Sequence, residues 1–387
     1  MRGQIEMNIA FVGTGYVADY YMTTLKNFPD LRLCGVFDRS PARMNEFSSF
    51  HHVPAYESAE AVMRDPTVEI VVNLTTPESH FETSRMALEA GKHVYSEKPL
   101  AMHLADAARL VALAEAKGLT LTTAPANALS DAHDLVAATL AEGRIGTPRL
   151  AYAEMEDGPV FRDKWATWRS RSGALWPGLH EFEIGCTLEH AGYALSWLVS
   201  LFGAVESLTA FSALTFPDKG PGTETIVMAP DFSVGCLRFG SGMVARLTSG
   251  LAAPKDRSLT IVGDKGSIVV ADLWDNRSAI YLEELGKPRK LTARLAVRLE
   301  TWLKGFLPWK PGPGRRLSYP AGKRGTRLPA FPSQIDFCRG IAAQAEAISA
   351  GRRPFFSGDR ALHITEIALA LNNSNALQQP YLPQSTF

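Results

Sequence analysis

The sequence is poor in cysteine, has no surplus of charge of either sign and contains no apolar run long enough to span a bilayer. Its four cysteines, Cys34, Cys186, Cys236 and Cys338, are scattered along 387 residues without a CxxC pair or metal-like spacing. That excludes a disulfide framework, gives no reason to expect a metal, and suits a reducing compartment. Lys plus Arg and Asp plus Glu both total 40, for a formal net charge of zero, so no global field draws the chain to nucleic acid. The longest apolar stretch, 193–205, is too short for a transmembrane helix. The opening MRGQIEMNIAFVG has one arginine and then an acid before its first apolar run, unlike a secretory signal, and the expected compartment is the cytoplasm. No internal repeat or low-complexity tract is visible.

What is present is enough apolar material, 46% of residues, to build two domains with separate cores. Residues 1–127 alternate short β-branched runs with helical patterns. NIAFVG, LRLCGVFD, VEIVVNLT and KHVYSE read as strands, LTLTTAP as a sixth strand, and the segments between them as helices. This is the pattern of a doubly wound α/β Rossmann domain built on a parallel sheet. From residue 128 to 387 the texture changes to one helix, ALSDAHDLVAATLAEG, followed by ESLTAFSALTF, TETIVMA, FSVGCLRF, MVARLTSG and SLTIVGDKGSIVV. These runs lie too close together for crossover helices, so an α+β domain with a large, mostly antiparallel open sheet is expected. Such a sheet has one uncovered face, which favours a homo-oligomer, a dimer or tetramer.

After the first strand, Gly13-Thr14-Gly15-Tyr16-Val17-Ala18 forms a GxGxxA loop leading straight into a helix. The first glycine permits the turn, the second lets main chain approach a pyrophosphate, and the small sixth residue lets helix and strand pack. Asp38 ends the second strand 25 residues past Gly13, where a carboxylate accepts from the adenosine ribose hydroxyls. Together these predict dinucleotide binding. The acid favours NAD, with NADP as the alternative, because Arg39 and Arg43 follow closely enough to neutralise a 2′-phosphate.

The run Val72 to His80, VNLTTPESH, then ALEAGKHVYSEKPLA from Ala87 to Ala101, GRIGTPR from Gly143, GDKGSIVV and ALHITEIALAL resemble, in order and over most of the chain, the Gfo/Idh/MocA oxidoreductases. The resemblance implies a nicotinamide-dependent dehydrogenase acting on a secondary carbinol of a sugar, cyclitol or sugar nucleotide. It implies that Thr75, Thr76, Pro77 and His80 line the cofactor, and that Glu97-Lys98-Pro99 is the triplet whose lysine faces the substrate. Chemistry wants that lysine too, since a cation stabilises the alkoxide that develops as hydride departs. For His80 the competing reading is a helix-start side chain that bonds backbone.

The second domain departs from the family pattern. Where many members carry Asp-x-Gly-x-His, counting back from Gly203 places Tyr193 at the histidine and Glu189 at the aspartate, on one helical face. Tyr193 is then the candidate proton carrier, provided Lys98 lowers its pKa from about 10, and Glu189 would orient the pair. His190, an imidazole one residue away, is the rival base, and the sequence does not choose between them. A buried polar cluster at a helix start is the bland reading.

Upstream lies a Trp- and Arg-rich stretch containing Arg162, Trp168, Arg169, Arg171, Trp176 and His180. Rings stack on pyranose faces and arginine forks bind carboxylate or diphosphate, so these residues are candidates for holding an anionic sugar or sugar nucleotide. An oligomer interface would use the same residue types. An insertion over about 286–330 is basic, with twelve Lys or Arg between Lys287 and Arg327 against the single acid Glu300, and leucines at 291, 295, 299, 303 and 307. Such a stripe can lie on an anionic membrane surface, but packing on the second domain or on a partner subunit is the simpler expectation. Two other readings remain open: a non-catalytic NAD-binding regulator of the same fold, and an enzyme that recycles tightly held NAD in glycoside cleavage or sugar-to-sugar hydride exchange.

Overall fold

The computed structural model describes residues 6–286, 314–320 and 334–387, with isolated positions at 295, 298, 299, 302 and 328. The basic segment and its leucine stripe therefore lie, for the most part, outside the described residues. The first sheet is formed by β1 (Met7–Val12), β2 (Leu31–Phe37), β3 (Ile70–Asn73), β4 (His93–Ser96) and β5 (Leu121–Thr123), all parallel, in the order β2-β1-β3-β4-β5. Helices α1 (Ala18–Leu25), α2 (Pro41–His51), α3 (Ala59–Arg64), α4 (His80–Glu89) and α5 (Leu104–Ala116) connect them. β3 is buried at every position, as its unbroken apolar run requires when both faces are covered.

LTLTTAP is thus the fifth strand, not a sixth. The edge beyond β2 carries only a single parallel bridge, Val36 to Ala55, because Pro54 has no N–H to extend a ladder there.

The second unit comprises α6 (Asp131–Ala141), β6 (Pro148–Glu156), α7 (Gly178–Ile184), α8 (Cys186–Phe202), β7 (Val205–Ala213), β8 (Phe232–Phe239), β9 (Val244–Gly250), β10 (Leu259–Gly263), β11 (Gly266–Val270), β12 (Ile280–Glu284) and β13 (Arg315–Arg316). Among the described residues its eight strands run β13-β12-β11-β10-β6-β9-β8-β7, antiparallel except for the parallel pair β6 and β9. α8 covers one face, with Leu195, Trp197 and Leu198 fully buried. The other face leaves Leu150, Tyr152 and Phe211 exposed.

TETIVMA is not a strand. Gly220 and Gly222, both at positive φ, lead into a short 3-10 turn at Thr223–Thr225, and Val227 is 90% exposed. The loop is instead fixed by the buried pair Lys219 and Asp231, 2.9 Å apart. Two further helices, α9 (Cys338–Ser349) and α10 (Gly358–Asn372), return to the first sheet. Gln344 on α9 donates to the carbonyl of Val94 and accepts from the hydroxyl of Thr122, and the N–H of Leu100 donates to Thr365 on α10.

β6 ends with Glu156, whose carboxylate lies against Gly250, where a Cβ would fall 2.4 Å from Oε2. It lines a cavity of about 350 Å³ with Thr215, Phe216 and Asp231. Burial, helped by Glu154, Asp157 and Asp256 and opposed by a backbone hydrogen bond at Ala253, pushes the Glu156 carboxyl up to about 7. A carboxyl whose pKa rises on folding lends its full stability below the unfolded value and loses it as pH climbs through the folded one. Glu156→Gln should therefore match the parent near pH 4 and exceed its stability by roughly 1–2 kcal/mol at pH 8, after allowance for partial solvation. Denaturant titrations at both pH values check this, and an equal difference at the two would refute it.

Candidate active site

The glycine loop leaves β1 at Gly13, where φ is 101° and a Cβ would lie 2.4 Å from the carbonyl of Leu74, so only glycine fits. Gly15 is the opposite case, with nothing within 4 Å of a would-be Cβ. Ala18 is fully buried, and α1 starts without a side-chain cap, which leaves its first N–H groups to an anion. Tyr16 and Val17 are half-buried. The Thr14 N–H and hydroxyl donate to Asp38 Oδ2 at 2.8 and 3.0 Å, and Ser40 N–H donates to Oδ1 at 2.9 Å, which fixes the carboxylate beside the loop. An open cradle of main chain, an uncapped helix start and an adjacent carboxylate fit a dinucleotide. Arg39 is exposed, and the Arg43 Nε donates to the Thr14 carbonyl at 2.8 Å.

Lys98 follows β4 and forms an ion pair with Glu189 on α8, both largely buried. Burial works against charge on Lys98, but Glu189, with Tyr193 and Glu97 beyond it, more than offsets that and holds its pKa above the ordinary lysine value. Burial likewise raises Glu189, and Lys98 overrides it, so the carboxylate stays ionised. The ring of Tyr193 lies 5.9 Å from Lys98 Nζ and is tilted against Trp274 at 4.7 Å. Burial raises the Tyr193 phenol and Lys98 only partly reverses this, contrary to the expectation of a lowered pKa. The burial of one full ring outweighs a cation that Glu189 already neutralises.

His190 Nε2 lies 3.0 Å from Asp157 Oδ2 and 3.4 Å from Glu181 Oε1, while Nδ1 is buried with no hydrogen-bond partner among the described residues. Burial lowers the His190 pKa despite the pull of Asp157, so the ring is neutral, with its proton on the nitrogen facing Asp157. Burial, aided by Glu189, pushes the Glu181 carboxyl far above the usual range. Arg257 stacks over Trp274 at 3.9 Å and pairs with Asp272 at 2.8 Å. Asp157, Glu181, Arg257 and Trp274 carry no motif that sequence reading singles out. Each is a lone residue at a strand end, in a short helix or in a turn, and the order of the second sheet assembles them.

Other predicted residues have different surroundings. His80 is wholly buried, with Nδ1 2.7 Å from the Pro99 carbonyl and Nε2 3.1 Å from that of Thr75. It ties the Lys98-Pro99 turn to the Thr75-Thr76-Pro77 turn and has no free ring nitrogen to offer a cofactor, because both polar atoms face main chain. Glu97 accepts from the Tyr21 hydroxyl at 2.7 Å and from the Lys98 N–H at 3.1 Å, so it positions the turn. Thr75 donates to Asn73 at 2.7 Å, and Thr76 is exposed. His180 Nε2 lies 2.7 Å from Glu78, bridging α7 to the turn before α4.

The Trp and Arg stretch is not drawn to Lys98 by any hydrogen bond, ion pair or ring contact among the described residues. Trp168 and Trp176 pack on each other at 5.1 Å within a cluster that includes Trp165 and Phe182. Arg162 is exposed, over the ring of Phe161. Arg169 is exposed and donates from Nη1 to the Gly173 carbonyl of its own hairpin at 2.9 Å. Among the described residues no cluster of His, Cys, Asp and Glu could hold a metal ion, and no helix is long and apolar enough to cross a membrane.

Residues 7–124 match the family described as "Oxidoreductase family, NAD-binding Rossmann fold", and residues 133–269 match "GFO/IDH/MocA C-terminal domain". A trans-1,2-dihydrobenzene-1,2-diol dehydrogenase of Mus musculus is 24% identical over 266 residues, covering 68% of this chain and 74% of that protein. An oxidoreductase from Agrobacterium radiobacter, solved with NAD+, L-tartaric acid and magnesium, has the same fold at a TM-score of 0.70, 19% identity and 96% coverage of both chains. A UDP-N-acetylglucosamine 3-dehydrogenase from Acidithiobacillus ferrooxidans shares it at 0.69 and 19% identity, over 95% of this chain and 96% of that one.

Proposed function

The chain belongs to the Gfo/Idh/MocA oxidoreductases, and from that premise we propose that it transfers a hydride between NAD and a secondary hydroxyl or keto group of a sugar, cyclitol or sugar nucleotide. The observation that carries the reading is Lys98, buried yet held as a cation by Glu189, with a phenol free of hydrogen bonds among the described residues one helical turn from Glu189. The names of the mouse relative and of the Acidithiobacillus neighbour, which refer to a ring diol and a sugar nucleotide, support a ring carbinol as the reacting group. When bound, NAD supplies the hydride acceptor at its nicotinamide ring.

The chain's residues supply the rest. Lys98 Nζ donates to the reacting oxygen and stabilises its alkoxide character as the C–H bond breaks. Tyr193 donates its phenolic proton to the reacting oxygen as the keto group is reduced, and the raised pKa keeps that proton in place until then; in oxidation the phenolate oxygen takes the hydroxyl's proton back. Glu189 fixes and charges Lys98. His190 is the second reading for the proton carrier, favoured by its bare Nδ1, although Nε2 is engaged by Asp157. The NAD preference rests on Asp38, and the half-open second sheet, with Leu150, Tyr152 and Phe211 exposed, supports a homo-oligomer.

The direct test is a panel of cyclitols, aldoses, uronates, ring diols and sugar nucleotides offered to purified protein with NAD, followed at the nicotinamide absorbance band. Reduction with at least one ring carbinol is expected. If NAD binds and neither reduction nor product appears across the panel, a non-catalytic role replaces this one.

A further inference from the structure

Residues 168–176 form a tight hairpin. The Trp176 N–H donates to the Trp168 carbonyl at 2.9 Å, the Ser170 N–H to Ala174 at 2.8 Å and the Gly173 N–H to Ser170 at 3.1 Å. Its base is pinned by the Trp168, Trp176, Trp165 and Phe182 rings. Its tip crosses to the first sheet's helices and stops beside the glycine loop. There Ser172, 8% exposed, donates from N–H and hydroxyl to Asp19 Oδ2 at 3.2 and 2.6 Å. Asp19 is wholly buried in the first turn of α1, and its other oxygen meets His51 at 2.6 Å.

Arg43 of α2 completes the joint. Its Nε bonds the Thr14 carbonyl inside the GxG loop, Nη1 bonds the Ser172 carbonyl at 2.8 Å and Glu46 at 2.9 Å, and Nη2 bonds the Ser172 hydroxyl. One guanidinium thus ties the dinucleotide loop to a segment 129 residues away in sequence. The contact is polar, specific and buried, which a passing surface touch is not.

We propose that this hairpin is a cofactor strap. It closes the mouth of the dinucleotide site, so that NAD leaves slowly, and by occupying Arg43 it withholds from a 2′-phosphate a guanidinium that touches the glycine loop. The inference rests on the dinucleotide-binding reading above and adds to it a second-domain element that governs retention and selectivity.

The test compares wild type with Ser172→Ala and with a variant in which Ser170 through Gly173 are replaced by two glycines, using NADH and NADPH fluorescence for affinity and stopped-flow displacement for release. Loss of hydrogen bonds to the charged groups Asp19 and Arg43 should speed NADH release roughly tenfold or more in Ser172→Ala. In the shortened hairpin, freed Arg43 should raise NADPH affinity relative to NADH several-fold, which a general loosening of the fold would not do. If the shortened chain fails to fold, the Ser172→Ala release rate still decides. Unchanged NADH release, or NADPH weakening in parallel with NADH, overturns the strap. Absence of binding of either nucleotide to wild type would instead remove the dinucleotide reading, and the strap with it.

Discussion

Lys98→Met will lower turnover about a thousandfold while NADH affinity stays within a few-fold of wild type. Among the described residues the amine is the only lysine or arginine cation paired with Glu189, and losing a group that stabilises developing negative charge costs about 10²–10³ in rate. Methionine keeps the stem's packing and removes only the charge. Glu189 is then left ionised among Glu181 and Asp157, so its carboxyl must climb and protonate, and the fold will lose stability on the order of 1–3 kcal/mol, less than for a fully buried pair. The double variant Lys98→Met, Glu189→Gln separates the two effects: it should regain much of the lost stability and none of the turnover. Steady-state rates with the responsive substrate, together with thermal melts, measure both. A single variant that turns over within tenfold of wild type takes Lys98 out of the chemistry.

The parts of this site that could be read from sequence are those with a local signature. A parallel sheet covered on both faces writes itself as β-branched runs such as Ile70–Asn73, and the glycine loop and Glu97-Lys98-Pro99 are contiguous, so their geometry is local. Asp157, Glu181, Arg257 and Trp274 escaped because their proximity depends on β6 lying beside β9 and β10. That central parallel pairing has no sequence sign, and β6 itself, PRLAYAEME, buries Ala151, Ala153, Met155 and Glu156, with none of the β-branched residues that mark a strand. At the Trp and Arg stretch composition left two readings open. Its rings make a satellite core and its Arg169 braces a hairpin, and residue type alone cannot tell a ring that packs from a ring that stacks on a ligand. TETIVMA has strand residues, but the outer edge of β7, the last strand of the sheet, is met instead by residues 379–381, where Leu208 exchanges main-chain hydrogen bonds with Tyr381 and the Gln379 side chain bonds Ala210.

The proton carrier is separable by a pair of substitutions that the geometry treats differently. Tyr193→Phe removes a hydroxyl and nothing else, because the ring's contact with Trp274 and its place in the buried face of α8 survive. The expected result is a fall in kcat of about 10²–10⁴ with KM little changed, the range for loss of a general acid or base. His190→Gln keeps a donor facing Asp157 and abolishes the bare Nδ1. With burial holding His190 neutral, the substitution should cost about tenfold or less if the ring only supports the Asp157 and Glu181 carboxyls. Inverted results, with Tyr193→Phe active and His190→Gln dead, hand the proton to the imidazole. Asp157 would then orient its tautomer, as a carboxylate does wherever it faces the far nitrogen of a catalytic histidine. Neither outcome bears on the role proposed for Lys98, so the pair of variants tests the proton path alone.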